Sequence, residues 1–98
     1  MIRHILLVHF KSTADSESIA KVKAAFQSIA SKIAGIDSVE WGENNSQEGK
    51  NQGFTHCVLM TFVNEDARDL YLPHPQHLAL IDIFRPTIDD IIVFDYSV

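Results

Sequence analysis

Apolar residues recur along this chain with two different spacings, and these separate predicted strands from predicted helices. Between residues 17 and 34 an apolar residue appears at every third or fourth position, which predicts a helix. Asn64 or Asp66 is placed to cap a short helix that runs to about Leu72, and Pro75 is placed to begin another that runs to about residue 84. Short apolar runs predict strands at residues 2–11, 38–44, 54–63 and 88–96.

The order of these elements is β-α-β-β-α-β, the ferredoxin-like arrangement of the α+β class. In this arrangement four strands form one antiparallel sheet, with the first and third strands as neighbours in the middle. No repeat or interdomain linker interrupts the pattern, so the chain is predicted to be a single domain spanning residues 1–98. The polar stretch at 44–52 is too short for a linker and is predicted to be a loop.

Both faces of the predicted sheet carry apolar residues. In the third strand, Val58 and Met60 lie on one face, whereas Cys57 and Leu59 lie on the other. An antiparallel sheet with one face in water would alternate apolar and polar residues. The predicted helices suffice to cover one face only. We therefore expect a homodimer in which two sheets pack face to face, most simply with two-fold symmetry.

The segment Tyr71–His77 holds a phenol and two imidazoles, and it is the most informative stretch for chemistry. Pro75 disfavours an α conformation at His74 and suits the first position of the following helix. His77 then lies in a first helical turn, where the helix dipole disfavours a positive imidazolium. A neutral imidazole beside a phenol can accept a proton at neutral pH. Tyr71 and His77 are therefore candidates for an acid/base site.

Two more histidines are predicted on the side of the sheet that faces the helices. His4 and His56 each share a strand face with large apolar residues, and their strands are expected to be neighbours. We expect them to converge with Tyr71 and His77 in an apolar pocket with a few polar groups, the usual form of a small-molecule site. Taken singly, each strand histidine is more often a satisfied core residue than a ligand. His74 is a weaker candidate, since it also suits a cap of the turn.

Composition narrows the classes of function. The net charge is −5 and the 8 basic residues are scattered, so neither nucleic acid nor an anionic membrane surface is an expected partner. Cys57 is the only cysteine and lies in an apolar run, which favours a buried hydrophobe over a redox role.

The apolar run near the start is too short for a signal peptide, so a cytoplasmic location is expected. His74 and His77 are three residues apart, but no complete ligand signature is present, and neither a metal nor a cofactor is expected.

Four segments resemble the stress-responsive A/B barrel (Dabb) domains of the dimeric α+β barrel superfamily. They are residues 4–11, 42–46, 53–56 and 71–77, and the likeness extends over nearly the whole chain. The resemblance implies a ferredoxin-like domain that pairs as a dimeric α+β barrel. A plant polyketide cyclase of this family closes a linear tetraketide by an intramolecular aldol reaction, with a His/Tyr pair and no metal or cofactor.

The likeness to that cyclase also implies roles for individual residues. His77 would be the general base that removes a carbon-bound proton, and Tyr71 would hydrogen-bond the substrate carbonyl. The matching positions His4, His56 and His74 are the expected ligand-binding residues.

Three interpretations of function are open at this point. The first, and the least demanding, is a homodimer that binds a small, mostly apolar ligand such as a carbonyl or phenolic compound, with a role in stress response implied by the resemblance. The second is a cofactor-free cyclase, isomerase or lyase. The third is a structural role, in which dimers pack into larger assemblies and side chains fill the pocket.

Overall fold

A computed structural model describes all 98 residues and confirms the ferredoxin-like α+β fold and the predicted order of elements. A short 3-10 turn at Arg85–Thr87 joins the last helix to the last strand. No helix is long and apolar enough to cross a membrane. The elements are β1 (Ile2–Phe10), α1 (Ser16–Ile29), β2 (Ile36–Glu43), β3 (His56–Phe62), α2 (Glu65–Tyr71), α3 (Pro75–Phe84) and β4 (Ile88–Ser97).

All strand pairs in the sheet are antiparallel, and the strand order is β2-β3-β1-β4, so β1 and β3 lie in the middle as predicted. β4 and β2 are the edge strands. β3 begins two residues later than predicted, because the backbone N–H of Phe54 bonds the carbonyl of Asn51 in a turn at 2.9 Å. The helices cover one face of this sheet, which we call the inner face, and leave the other, the outer face, without a layer above it.

The first helix begins where the sequence predicts and ends earlier. Asp15 caps α1, and its carboxylate accepts the backbone N–H of Ser18 at 2.8 Å. The helix ends at Ile29, although the apolar spacing continues to residue 34. Beyond that point the chain forms turns, and Ile33 is nevertheless buried at 5% exposure. The apolar spacing thus predicted correctly which residue enters the core but not the local conformation that takes it there.

The core lies between the helices and the inner face of the sheet. Val8 of β1, the β3 residues Val58 and Met60, and Val22 of α1 have no solvent exposure. Each fully buried side chain of this size stabilises the fold by roughly 1.5–3 kcal/mol relative to an exposed one. This packing holds β1 and β3 rigidly, so side chains that project from their inner face have fixed positions.

The outer face is apolar and exposed. Leu7 in the middle of the sheet is 37% exposed, and Ile92, Phe94 and Tyr96 of β4 are 43%, 61% and 44% exposed. These four residues sit on the side away from the helices, since Leu7 pairs with Ile92 and alternates with the buried residues of β1. The apolar character of both faces, predicted from the sequence, is therefore present.

Candidate functional site

An apolar cavity of about 250 Å³ lies between α3 and the half of the sheet formed by β1 and β4. We call it the α3 cavity. All of its lining residues are hydrophobic except His4, His77 and Arg85. Pockets for drug-sized ligands span roughly 300–1,000 Å³, so this cavity suits a smaller molecule. Its apolar walls include Leu6, Phe26, Leu80, Ile81, Phe84 and Ile91.

The turn between α2 and α3 brings Tyr71 and His77 together at one end of the α3 cavity. Tyr71 is the last residue of α2, and His77 is the third residue of α3 because Pro75 begins that helix. The two rings stack, with centroids 4.1 Å apart and planes inclined by 34°. The structure thus has the predicted proximity of phenol and imidazole, whereas the chemical roles of the two residues stay predictions.

One ring nitrogen of His77 is hydrogen-bonded to the backbone, and this bond fixes the tautomer of the neutral ring. Nδ1–H donates to the carbonyl oxygen of Leu72 at 2.8 Å, so Nε2 carries the free lone pair of the neutral ring. Burial lowers the pKa of His77 below its ordinary value of 6.5, the Leu72 bond opposes this, and His4 and His74 lower it further. The ring is therefore neutral at pH 7, and Nε2 can accept a hydrogen bond or a proton.

The hydroxyl of Tyr71 is free to meet a ligand. Tyr71 is only 1% exposed, and its hydroxyl has no hydrogen-bond partner in the protein. Every fully buried side-chain nitrogen or oxygen has a partner, so this hydroxyl keeps some accessible surface, and Tyr71 is among the residues that line the cavity. Burial raises the pKa of Tyr71. The phenol therefore stays neutral at physiological pH and can donate to an oxygen inside the cavity.

His4 faces the same cavity from β1 and is held by a chain of charged groups. Its Nδ1–H donates to Asp95 Oδ1 at 2.7 Å, and Arg68 Nη1 donates to Asp95 Oδ2 at 3.2 Å. Asp95 stands opposite His4 in the pairing of β1 with β4, and Arg68 comes from α2. A carboxylate on one ring nitrogen orients the imidazole. The other nitrogen, Nε2, has no protein partner and keeps some accessible surface, and His4 is among the residues that line the cavity.

His56 does not converge with this group, and that part of the prediction is wrong. The register pairs His4 with Met60 but pairs Val8 with His56. The two histidines therefore lie four residues apart along β1, roughly 13 Å at the rise of a strand. Both face the helices, as predicted, but His56 is not among the residues that line the α3 cavity.

The surroundings of His56 are those of a packed aromatic side chain at the edge of the core. Its ring centroid lies 4.9 Å from that of Phe10 and 5.4 Å from that of Trp41. Nδ1 lies 2.7 Å from the hydroxyl of Thr55. Burial lowers the pKa of His56, and Glu43 opposes this. A wider depression of about 540 Å³ lies beside it, but polar loop residues form most of its lining, so it suits an apolar ligand less well.

His74 also lies outside the α3 cavity, so the prediction that it binds a ligand has no geometric support. Its Nδ1 accepts the backbone N–H of Gln76 at 3.1 Å, which caps α3. The alternative noted from the sequence, a cap of the turn, is the role that the structure shows. No three His, Cys, Asp or Glu side chains are arranged as a group that could hold a metal ion.

Sequence reasoning did not assign a role to three charged residues of the site. Asp95 is a carboxylate at an inner-face position of an apolar strand, and that position was a signal that it needs a buried partner such as His4. Arg68 and Arg85 carried no such signal, because one lies in a helix and the other directly after one, and both look like ordinary surface cations. Their places beside Asp95 and in the cavity wall follow only from the tertiary structure.

Comparison with known sequences places the chain within a family. The sequence profile described as "Stress responsive A/B Barrel Domain" matches residues 2–98. A stress-response A/B barrel domain-containing protein of Arabidopsis thaliana is 30% identical over 96 residues, which covers 98% of this chain and 88% of that protein. Olivetolic acid cyclase of Cannabis sativa is 25% identical over 96 residues, which covers 98% of this chain and 95% of the cyclase.

Solved structures agree with the sequence comparison. An Arabidopsis thaliana protein, 30% identical, superimposes with a TM-score of 0.95 over 100% of this chain and 95% of that chain. A hydroxynitrile lyase from Passiflora edulis gives a TM-score of 0.92 at 23% identity, covering 99% and 92% of the two chains. A dimeric ferredoxin-like protein from a Jannaschia species gives 0.86 at 23% identity, covering 99% and 98%. The last two likenesses show the fold alone. Because the family profile spans residues 2–98 and a relative 30% identical covers nearly the whole chain, this protein belongs to the stress-responsive A/B barrel (Dabb) domain family.

Proposed function

We propose that this protein binds a small, mostly apolar molecule with a carbonyl or phenolic oxygen in the α3 cavity. The observation that carries the proposal is the group of accessible polar atoms in an apolar space: the Tyr71 hydroxyl and the Nε2 atoms of His4 and His77. Polar atoms are costly to hold in an apolar environment without a hydrogen-bond partner. A ligand that brings one oxygen to this end of the cavity would satisfy them while its apolar part fills the rest.

Binding is tested by titrating the protein with a panel of small phenols and β-dicarbonyl compounds and following amide shifts by NMR. Tyr71→Phe removes only the hydroxyl, and we expect it to weaken the best binder about fivefold to tenfold, the value of one hydrogen bond. Tyr96→Phe is the matched control, since Tyr96 lies on the outer face and should leave affinity unchanged. Shifts that do not cluster around the α3 cavity, or no binding by any compound of the panel, would overturn the proposal.

A cofactor-free enzyme is the second candidate, and the state of His77 favours it. The bond from Nδ1–H to Leu72 leaves Nε2 as a neutral base beside a phenol that can donate to a carbonyl oxygen. In such a reaction Nε2 takes a proton from the carbon next to the carbonyl, and the Tyr71 hydroxyl stabilises the negative charge that develops on the oxygen. The relative named olivetolic acid cyclase is in keeping with carbonyl chemistry of this kind.

Proton abstraction can be measured without knowledge of the natural substrate. Deuterium exchange at the acidic carbon of a β-keto ester should be accelerated by the protein, and His77→Gln should reduce that acceleration about 100-fold or more, the usual contribution of a general base. His56→Gln is the matched control, because His56 lies outside the α3 cavity. Equal exchange in wild type and His77→Gln would remove His77 from the mechanism and leave only the binding role.

We further propose that two copies pair through the outer face. An exposed apolar face of a sheet is unstable in water, and a second copy covers it with the same residues. A structural neighbour with the same fold is described as dimeric, which supports the pairing of two copies. Phe94→Lys should convert the dimer to a monomer in sedimentation at micromolar concentration. Val93→Lys is the control, since Val93 is similarly exposed but lines the α3 cavity on the other face. A wild-type chain that sediments only as a monomer would contradict the pairing.

The third interpretation, a structural role with a filled interior, has less support. The α3 cavity is open in the single chain, and its polar atoms are not satisfied by one another.

A further inference from the structure

One exposed residue at the rim of the α3 cavity carries a permanent charge that the binding proposal does not use. Arg85 is the only cation among its lining residues, and it follows the last residue of α3. No carboxylate lies within 4 Å of its guanidinium, and it donates no side-chain hydrogen bond. Arg68, by contrast, is bonded to both Asp69 and Asp95. Arg85 is exposed and lines the cavity, so its planar set of donors is available to a ligand whose end reaches this part of the rim.

The position of Arg85 gives the site two polar ends. His77 is near the start of α3 and Arg85 is eight residues later, which corresponds to about 12 Å along the helix axis. Between them the cavity wall is apolar and is formed by Leu80, Ile81 and Phe84 on the helix side. On the sheet side, His4 marks the first end, and Ile88 and Ile91 flank the second.

We infer that the ligand of this cavity is an elongated apolar acid, with its carbonyl or phenolic oxygen at the Tyr71–His77 end and a carboxylate at Arg85. This inference rests on the proposed binding function and specifies its ligand class. Arginine matches a carboxylate with two parallel N–H donors, so it selects an anionic end over a neutral one. The distance between Tyr71 and Arg85 selects against short acids. Their carboxylate cannot reach Arg85 while their carbonyl or phenolic oxygen stays at Tyr71.

A purely local role for Arg85 makes a different prediction. A cation at the carboxyl end of a helix stabilises that helix through its dipole. Such a role would change the stability of the protein when Arg85 is replaced, but it would not make the protein distinguish an acid from its amide. The ratio of the two affinities is therefore the informative measurement.

The probes are ω-(hydroxyphenyl)alkanoic acids from acetic to hexanoic and their primary amides, titrated by calorimetry or NMR. In the wild type we expect the longest acid to bind about fivefold more tightly than its amide, the value of an ion pair at a partly solvated rim. For the shortest pair, hydroxyphenylacetic acid and its amide, we expect equal affinities. Arg85→Gln should abolish the preference, and Arg85→Lys should retain part of it. Lys32→Gln removes the same charge at an exposed residue that does not line the cavity, and it should leave the preference intact.

The outcomes separate this inference from the binding proposal. If long acids and amides bind equally in the α3 cavity, and Arg85→Gln changes neither, the Arg85 assignment is wrong while the binding proposal stands. If no member of either series binds in the cavity, the binding proposal itself fails. A preference for the acid that falls by the same factor in Arg85→Gln and in Lys32→Gln would show that net charge alone is responsible, and it would also overturn the assignment.

Discussion

His4 and His56 look equivalent in the sequence, and the structure gives them different surroundings. Both lie on the inner face of a central strand among large apolar residues. His4 is bonded to the carboxylate of Asp95 and keeps one nitrogen free in an apolar cavity. His56 packs edge-on against Phe10 at the margin of the core. A histidine on an apolar strand face is thus either a site residue or a packing residue. What decides is whether it lines an apolar cavity and has a carboxylate within hydrogen-bond distance.

The largest effect should come from removing the aromatic ring that supports the His4 end. Phe62 has no solvent exposure and packs edge-on against His4 with centroids 5.9 Å apart. Phe62→Ala should lower the free energy of unfolding by about 3–5 kcal/mol, because a cavity replaces a buried ring. Phe10→Ala, at the His56 end, should lower the free energy of unfolding by less, since Phe10 is already 8% exposed. Urea denaturation measures both, and an equal or larger loss for Phe10→Ala would contradict this distinction.

A smaller effect should come from the carboxylates beside the two histidines. Asp95 is bonded to His4 at 2.7 Å and to Arg68 at 3.2 Å, so Asp95→Asn should cost about 1–3 kcal/mol. Glu43 lies 3.9 Å from His56 and is largely exposed, so Glu43→Gln should change stability by less than about 0.5 kcal/mol. The nitrogen shifts of the His4 ring should change in Asp95→Asn alone. Unchanged His4 shifts in that variant would mean that Asp95 does not orient the ring.

The smallest effect is the dependence of stability on pH. Burial lowers the pKa values of His77 and His56 below 6.5, so the native state binds fewer protons than the unfolded chain in that range. Their contribution to stability is therefore complete above pH 6.5 and is lost as the pH falls towards the folded-state pKa values. NMR titration should give both midpoints below 6.5. Glu43→Gln should lower the His56 midpoint further, since Glu43 raises it, and should leave His77 unchanged.

Much of the fold was predictable because it follows from local spacing. The apolar periods identified every strand and helix in order, and Pro75 located the start of α3. The early end of α1 was not predicted, because the spacing of apolar residues indicates which side chains are buried and not which backbone conformation carries them. Ile33 is buried whether a helix or a turn carries it. In the site, the proximity of Tyr71 and His77 was predictable because a short turn separates them.

The sequence by itself determined the family, the ferredoxin-like fold and the pairing of a phenol with an imidazole, since each depends on residues close together in the chain or on repeated spacing. The tertiary structure decided which residues share the cavity. The strand register places His56 roughly 13 Å from His4, and it brings Asp95 opposite His4. The fold also places Arg85 among the residues that line the cavity. Register and the direction of a side chain depend on contacts between distant segments, and no local pattern encodes them.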